Sequence, residues 1–235
     1  MPAAPAVAFN EEETGEIETI VRDYLIRNPE VLLEALDALE TKRMAEAETS
    51  QREAIATAGP ELVASPEGTV LGNPDGDVTI VEFFDYNCGF CKRAHADMQA
   101  LIEGDPELRF VLKEIPVLGE ESTAASRVSL AVRHIAPERY GEFHEALLMG
   151  EAVADETQAF AIAAGLGIEE APLREAIEAP EVTSALQESE RLAALLGITG
   201  TPSYVIGSEL VPGAIGAAPL AERVANIREC GATTC

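Results

Sequence analysis

Val78-Thr79-Ile80-Val81-Glu82-Phe83-Phe84-Asp85-Tyr86-Asn87-Cys88-Gly89-Phe90-Cys91 is the stretch on which the reading of this chain turns. Its first half is a β-branched and aromatic run, the composition of a buried central strand. It ends in Cys-x-x-Cys, and residues 92–102 then read as a helix that offers Ala94, Met98, Ala100 and Leu101 for packing. Strand, Cys-x-x-Cys and helix in that order form a redox arrangement. A cysteine in the first turn of a helix faces unpaired backbone N–H groups and the positive end of the dipole. Both favour the thiolate, which is the nucleophile. Cys88 is therefore expected to carry out disulfide exchange and Cys91 to resolve the mixed disulfide. Gly89 and Phe90, between them, are expected to modulate the potential and, with Thr201 and Pro202, to contact substrate.

Glu82 interrupts the apolar strand six residues before Cys88. Strand alternation sets it on the side of Ile80 and Phe84, beneath the redox helix. A partly buried acid there has its pKa raised by desolvation and can exchange a proton with Cys91. His95 falls one turn after Cys91. With Cys88 and Cys91 it would make three metal ligands, but a fourth is not evident, so an exposed or partly packed helical histidine is expected. No metal site and no cofactor are expected. His134 and His144 read as structural.

Upstream, residues 1–8 are rich in Pro and Ala. They read as the start of a mature exported chain, its signal peptide removed and an initiator Met added. A helix is expected from Thr14, with Ile17, Ile20, Val21, Tyr24 and Leu25 at helical spacing. Asn28-Pro29-Glu30 reads as a stop and restart, Asn28 being the N-cap of a second helix. Its stripe is Val31, Leu32, Ala35, Leu36 and Leu39, fading into a polar stalk. Two such helices cannot bury their own stripe, so packing against another subunit is expected, and packing on the chain's own body is the alternative. Gly59-Pro60 is the expected domain boundary, followed by an interrupted strand over 62–71. Asn73-Pro74-Asp75-Gly76 is a turn that leads into the central strand.

Downstream, 108–117 reads as a second strand and forms a parallel strand–helix–strand unit with the first. From 119 to about 198 the pattern is helical, with helices expected at 122–135, 137–149, 156–164, 170–177 and 181–196. Strands resume at 204–206 and 209–211, and a last helix runs over 219–227. Thr201-Pro202 sits at the entry to the first of these strands, and its local chemistry does not by itself call for a cis bond. Cys230 and Cys235 read as a staple on the tail. Free or intermolecularly paired thiols, and a zinc site shared with Cys88 and Cys91, are the alternatives.

The totals exclude some classes. The 235 residues are 47% apolar, enough for a substantial core, and the net charge is −26. Such acidity argues against nucleic acid and against an anionic membrane surface. No apolar run approaches the ~20 residues of a membrane-spanning helix.

Residues 83–93, Phe-Phe-Asp-Tyr-Asn-Cys-Gly-Phe-Cys-Lys-Arg, resemble the active-site segment of the DsbA-like branch of the thioredoxin superfamily. Gly200-Thr201-Pro202-Ser203-Tyr204 resembles its cis-proline loop, and the helical block matches its insertion. The resemblance implies an α/β fold: a thioredoxin-like mixed sheet with a large helical insertion, over residues 60–235. It implies a cis Thr201–Pro202 bond facing the cysteines, with the Thr201 backbone holding extended substrate, and supports the acid role of Glu82. Residues 22–32, Arg-Asp-Tyr-Leu-Ile-Arg-Asn-Pro-Glu-Val-Leu, resemble the extension of the suppressor of copper sensitivity C (ScsC) proteins. That implies a helical extension over residues 1–59 which oligomerises, a trimer being favoured, through residues 10–58. Trimeric members are disulfide isomerases, and a Thr before the proline fits that type. The Cys230/Cys235 pair is outside the family pattern.

The resulting expectation is a periplasmic thiol–disulfide oxidoreductase, an isomerase, acting on unfolded or misoxidised proteins and served by a membrane redox partner. A monomeric dithiol oxidase is the near alternative. A Cu(I)-binding protein using the same thiolates is an alternative of another class, and a holdase-like chaperone a weaker one.

Overall fold

The computed structural model describes residues Phe9–Cys235, so the leader reading of residues 1–8 lies outside it. The chain divides into two units between Ser50 and Gln51. In the first, helix α1 covers Glu11–Arg27 and helix α2 begins at Glu30. The start of α1 is set by Asn10, not by Thr14. Asn10 accepts from the N–H of Glu13, whose side chain accepts from the Asn10 N–H, a reciprocal capping box. Asn28 likewise differs from expectation. It closes α1, donating its backbone N–H and its side-chain amide to the Tyr24 carbonyl. Most apolar residues of this unit, Ile17, Ile20, Val21, Tyr24, Leu32, Leu33, Leu36 and Leu39 among them, are exposed, while Leu25 and Val31 are half-buried.

Helix α2 continues to Val63 and carries Gly59 and Pro60 within it. The strand expected over 62–71 is therefore mostly absent, and only Leu71–Gly72 pair, as β1. Packing explains why the helix persists. An interior proline costs about 3 kcal/mol. Ile55, Ala58 and Leu62 are buried on this helix, and each large apolar side chain fully buried contributes roughly 1.5–3 kcal/mol.

The second unit is built on a five-stranded sheet of order β1-β3-β2-β4-β5. Strand β2 is Val78–Phe84, β3 Leu108–Glu114, β4 Ser203–Ile206 and β5 Glu209–Pro212. Strands β2 and β3 run parallel and the other pairs antiparallel. The connection from β2 to β3 is helix α3, Gly89–Gly104. Gly72, at φ +77°, brings β1 against β3 so closely that a Cβ there would stand 2.6 Å from the Leu108 carbonyl oxygen.

Alternation along β2 gives the sheet two apolar faces. Ile80 and Phe84 join Phe110 and Leu112 under α3 and under the last helix, α9 (Ala217–Cys230). Val81 and Phe83 join Val111 and Val205 against Ile55, Ala58 and Leu62 of α2. The helical insertion follows the expected order: α4 Glu120–Ile135, a 3-10 turn Pro137–Arg139, α5 Tyr140–Leu148, α6 Glu156–Gly165, α7 Glu170–Ile177 and α8 Pro180–Leu195. The mixed sheet with its helical insertion and N-terminal helical extension is the α/β, thioredoxin-like fold expected. No helix among the described residues is long and apolar enough to cross a membrane.

Candidate active site

Strand β2 ends at Phe84, and after three intervening residues the chain turns into α3 with Cys88 as its N-cap. The turn is held by Asp85. Its carbonyl accepts from the Cys88 N–H at 3.0 Å and its Oδ1 from the Asn87 N–H at 2.8 Å. Cys88 and Cys91 are both free thiols. Cys88 retains 7% exposure at the helix start, whereas Cys91, one turn on, has none. Gly89 and Phe90 between them are exposed, and the Arg93 guanidinium stacks 4.2 Å from the centre of the Phe90 ring.

The Thr201–Pro202 bond is cis and lies opposite the cysteines. The Cys88 thiol donates to the Thr201 carbonyl at 3.2 Å. Strand β4 follows at once, and the Pro202 carbonyl accepts from the Gly213 N–H at 2.8 Å.

Glu82 is buried, with 4% of its surface exposed. Burial pushes its carboxyl up to about 8, and the Asp97 charge pushes in the same direction. Burial also raises the Cys91 thiol well above the ordinary cysteine range, assisted by Glu82. Both members of the expected Glu82–Cys91 proton pair therefore favour their neutral forms in the dithiol state.

Sequence reading missed Asp85 and Asn87, which pin the loops on either side of Cys88. Asp85 Oδ1 accepts from the Ser122 hydroxyl and its Oδ2 from the Leu118 N–H. Asn87 pairs with the Ala154 backbone through both its amide atoms and donates to Ser122 as well. Lys92 Nζ donates to the Gly150 carbonyl at 2.7 Å. Two polar residues interposed between a buried strand and the Cys-x-x-Cys were the available signal. Behind them, Tyr86 bonds Ser129 at 2.7 Å, and Ser129 donates to buried Glu114, whose carboxyl burial pushes up to about 7.

His95 differs from expectation. It is buried, at 4% exposure, because α3 packs it against His144 of α5, ring centres 5.8 Å apart. His144 in turn meets the Tyr86 hydroxyl at 3.3 Å, and burial pushes its imidazole down to about 3. Among the described residues no group of three or more His, Cys, Asp or Glu side chains is placed to hold a metal. Cys230 and Cys235, at the far end of α9, are joined as a disulfide.

Comparison with known proteins agrees with this geometry. The DSBA-like thioredoxin domain profile matches residues 79–225, and the profile of the copper resistance protein ScsC N-terminal domain matches residues 13–46. Disulfide bond formation protein D of Bacillus subtilis (strain 168) is 26% identical over 175 residues, 69% of this chain and 77% of that protein. The crystal structure of a thioredoxin-like oxidoreductase from Silicibacter pomeroyi DSS-3 is 42% identical, with a TM-score of 0.66. That match covers 71% of this chain and 99% of the other. Proteus mirabilis ScsC in a transitional conformation is 31% identical, with a TM-score of 0.65, covering 92% of this chain and 95% of the other. The chain belongs to the DsbA-like thioredoxin family and is a thiol–disulfide oxidoreductase of DsbA/ScsC type.

Proposed function

We propose that this protein is a periplasmic disulfide isomerase. Cys88 is its nucleophile, Cys91 its resolving thiol and Glu82 its buried proton carrier, and residues 10–58 assemble it as a homo-oligomer, a trimer being favoured. The observation that carries this reading is the placement of Cys88, buried but for 7% of its surface, at the helix start, with a fully enclosed Cys91 and a buried acid behind it. Cys88 thiolate attacks one sulfur of a substrate disulfide. A mixed disulfide forms and the other substrate sulfur leaves as thiolate. That thiolate can re-attack elsewhere in the substrate, returning Cys88 reduced with no net change in oxidation. When it does not, Cys91 passes its proton to the Glu82 carboxylate and attacks Cys88. The enzyme disulfide forms, and the substrate, now reduced by two electrons, departs. A membrane partner that supplies two electrons then restores the dithiol.

The surroundings of Cys88 suit polypeptide. Phe90, Val117, Leu118, Met149 and Val153 are exposed, and the loops that present them are those pinned by Asp85, Asn87 and Lys92. Thr201 and Pro202 offer backbone on the opposite side, where an extended chain can add strand-like hydrogen bonds. The exposed apolar stripe on α1 and α2 supports self-association.

Reactivation of a protein with scrambled disulfides tests this, comparing the whole chain with a fragment that begins at Gln51. Activity in the whole chain that is lost in the fragment supports an isomerase dependent on assembly. Rapid oxidation of reduced substrate by both, without reshuffling, makes the protein a dithiol oxidase instead. Inertness in both assays together with tight, thiol-dependent Cu(I) binding gives the copper reading, to which the two free thiols lend soft donors.

A further inference from the structure

Arg93 stands apart from most cations of the second unit. The chain carries 42 acidic residues against 16 Lys and Arg, so carboxylate partners are plentiful. Arg127, Arg139, Arg174, Arg191, Arg223 and Arg228 each form an ion pair with Asp or Glu. Arg93 forms none among the described residues. Asp97, four residues on, is its natural helical partner. That carboxylate is engaged elsewhere: its Oδ1 accepts the backbone N–H of Ala217, the first residue of α9, at 3.0 Å. What holds Arg93 instead is the active-site turn. Helical side chains lean towards the N-terminus. The Arg93 guanidinium accordingly lies over the Phe90 ring, 4.2 Å from its centre, one turn nearer to Cys88. Its Nη1 also covers Gly89, where an added Cβ would meet it at 4.0 Å. Both residues between the cysteines thus lie against a cation that is itself exposed. Stacking occupies one flat face of the guanidinium. The N–H edge stays open, and that edge is what a carboxylate takes in a two-pronged bond.

We propose that Arg93 determines specificity: it receives the carboxylate of an Asp or Glu close to the substrate cysteine that Cys88 engages, so that disulfides flanked by acidic residues exchange faster. The proposal deepens the reading of the cysteine pair given above and rests on Cys88 being the attacking sulfur. A substrate cysteine joined to Cys88 sits at the start of α3, and its flanking residues meet the exposed surface of Gly89 and Phe90. Phe90 offers apolar area there and Arg93 the charge. Lys92, the other cation of this turn, is committed to the Gly150 carbonyl at 2.7 Å. The field of a chain with net charge −26 repels acidic polypeptides at long range. One unpaired cation beside the reacting sulfur acts within about 8 Å at physiological ionic strength. It therefore selects by the sequence next to the cysteine and not by the net charge of the substrate.

Two isomeric peptides test this, each with one cysteine held as a disulfide to 2-thiopyridine. Composition and net charge are the same. In one a Glu adjoins the cysteine, and in the other it lies about six residues away, beyond the Debye length. The full chain carrying Cys91→Ser is used, so that the reaction stops after one exchange. The Cys88 thiolate attacks the peptide sulfur, a Cys88–peptide disulfide forms, and the pyridine thiolate leaves and is read by its absorbance. Each rate is taken relative to that of the same peptide with a free small thiol. The peptide with the adjoining Glu is expected to react about three- to fivefold faster, the effect of one exposed ion pair. Adding Arg93→Gln is expected to abolish the difference, Arg93→Lys to keep part of it and Arg93→Glu to reverse it. Arg93 is exposed, so these variants are expected to fold as the parent does. Equal rates for the two peptides in the Cys91→Ser chain, or a preference that persists in Arg93→Gln, would overturn the proposal. So would a loss of rate in Arg93→Gln that is the same for both peptides, since Arg93 would then act on the Cys88 thiolate and not on substrate. Each of these results leaves Cys88 as the nucleophile. Release of pyridine thiolate by a Cys88→Ser chain but not by the Cys91→Ser chain would overturn the assignment of Cys88, and the proposal with it.

Discussion

The Cys88 thiol and the Thr201 carbonyl oxygen are 3.2 Å apart, joining segments separated by 113 residues. The contact has a chemical consequence. The thiol is the donor, so conversion of Cys88 to a mixed disulfide removes the proton and releases the Thr201 carbonyl. On the function proposed above, that carbonyl would then be open to a substrate backbone N–H while substrate is covalently held. The same loop that engages the reduced enzyme is thereby freed for the intermediate.

The two cysteines are expected to differ sharply on substitution. Cys88→Ser removes the sulfur of the less deeply buried cysteine, and disulfide exchange with protein substrates should fall to the uncatalysed rate. Cys91→Ser leaves that sulfur and removes the resolving one, so mixed disulfides should accumulate and be seen by mass spectrometry of the intact protein. Accumulation in the Cys88 variant instead would reverse the assignment.

Above about pH 6.5 the stability of the dithiol form should fall as pH rises, and Glu82 should be the main cause; below that, His144, which burial keeps neutral in the folded chain, acts in the opposite sense. The Glu82 carboxyl is pushed up to about 8 in the folded protein from an ordinary value of 4.5. Between those limits the unfolded chain releases a proton that the folded one keeps, so the unfolded state gains relative to the native state. The loss begins above 4.5 and is complete above about 8, on the order of 5 kcal/mol. Glu82→Gln should therefore be more stable than wild type at neutral and alkaline pH and nearly equal to it in acid. Denaturant unfolding of the reduced protein at several pH values checks this. A residual slope in the variant is expected from Glu114, whose carboxyl is raised in the same sense, to about 7.

Asn87→Ala should loosen one side of the site without touching a sulfur. It strips hydrogen bonds from the Ala154 N–H, the Ala154 carbonyl and the Ser122 hydroxyl. A destabilisation of about 2 kcal/mol is expected. Amide exchange at Ala154 should accelerate well beyond the global change, and exchange turnover should fall with the cysteines intact.

The point at which the chain is cut should decide whether a truncated protein folds well. A fragment starting at Pro60 loses Ile55 and Ala58, which cover Val81, Phe83 and Val111 on one face of the sheet. It should be less stable than a fragment starting at Gln51 by about 3 kcal/mol or more. Ile55→Ala in the whole chain should cost about 2–4 kcal/mol, and thermal denaturation of the three proteins makes the comparison.

Local signals carried much of this protein. The strand-to-helix switch at Cys88 is legible because β-branched and aromatic residues give way within a few positions to Cys-x-x-Cys and a helical pattern. Alternation correctly set Glu82 with Ile80 and Phe84. The insertion helices were legible within a few residues of their ends, because Pro137, Gly165 and Gly197 mark their limits. Expectation failed where two local rules competed, or where distant packing overruled one. Asn10 and Thr14 both offer an N-cap, and only Asn10 has Glu13 three residues on to close a capping box. Gly59-Pro60 reads as a break, yet the face carrying Ile55, Ala58 and Leu62 is held against the sheet, and the helix runs on.

The sequence by itself determined where the candidate groups lie: two sulfurs one helical turn apart, at the end of a buried strand, with a carboxyl six residues before them. Periodicity and spacing are properties of neighbours along the chain, and they suffice for that. The tertiary structure alone decided the environment of those atoms. It set Thr201 against Cys88, closed Glu82 and Cys91 away from water, set Asp97 against the N-terminus of α9, and buried His95 against His144. Each of these joins residues far apart in the chain. Desolvation and hydrogen bonding across such distances arise only when the sheet and its helices pack, and no local pattern encodes them.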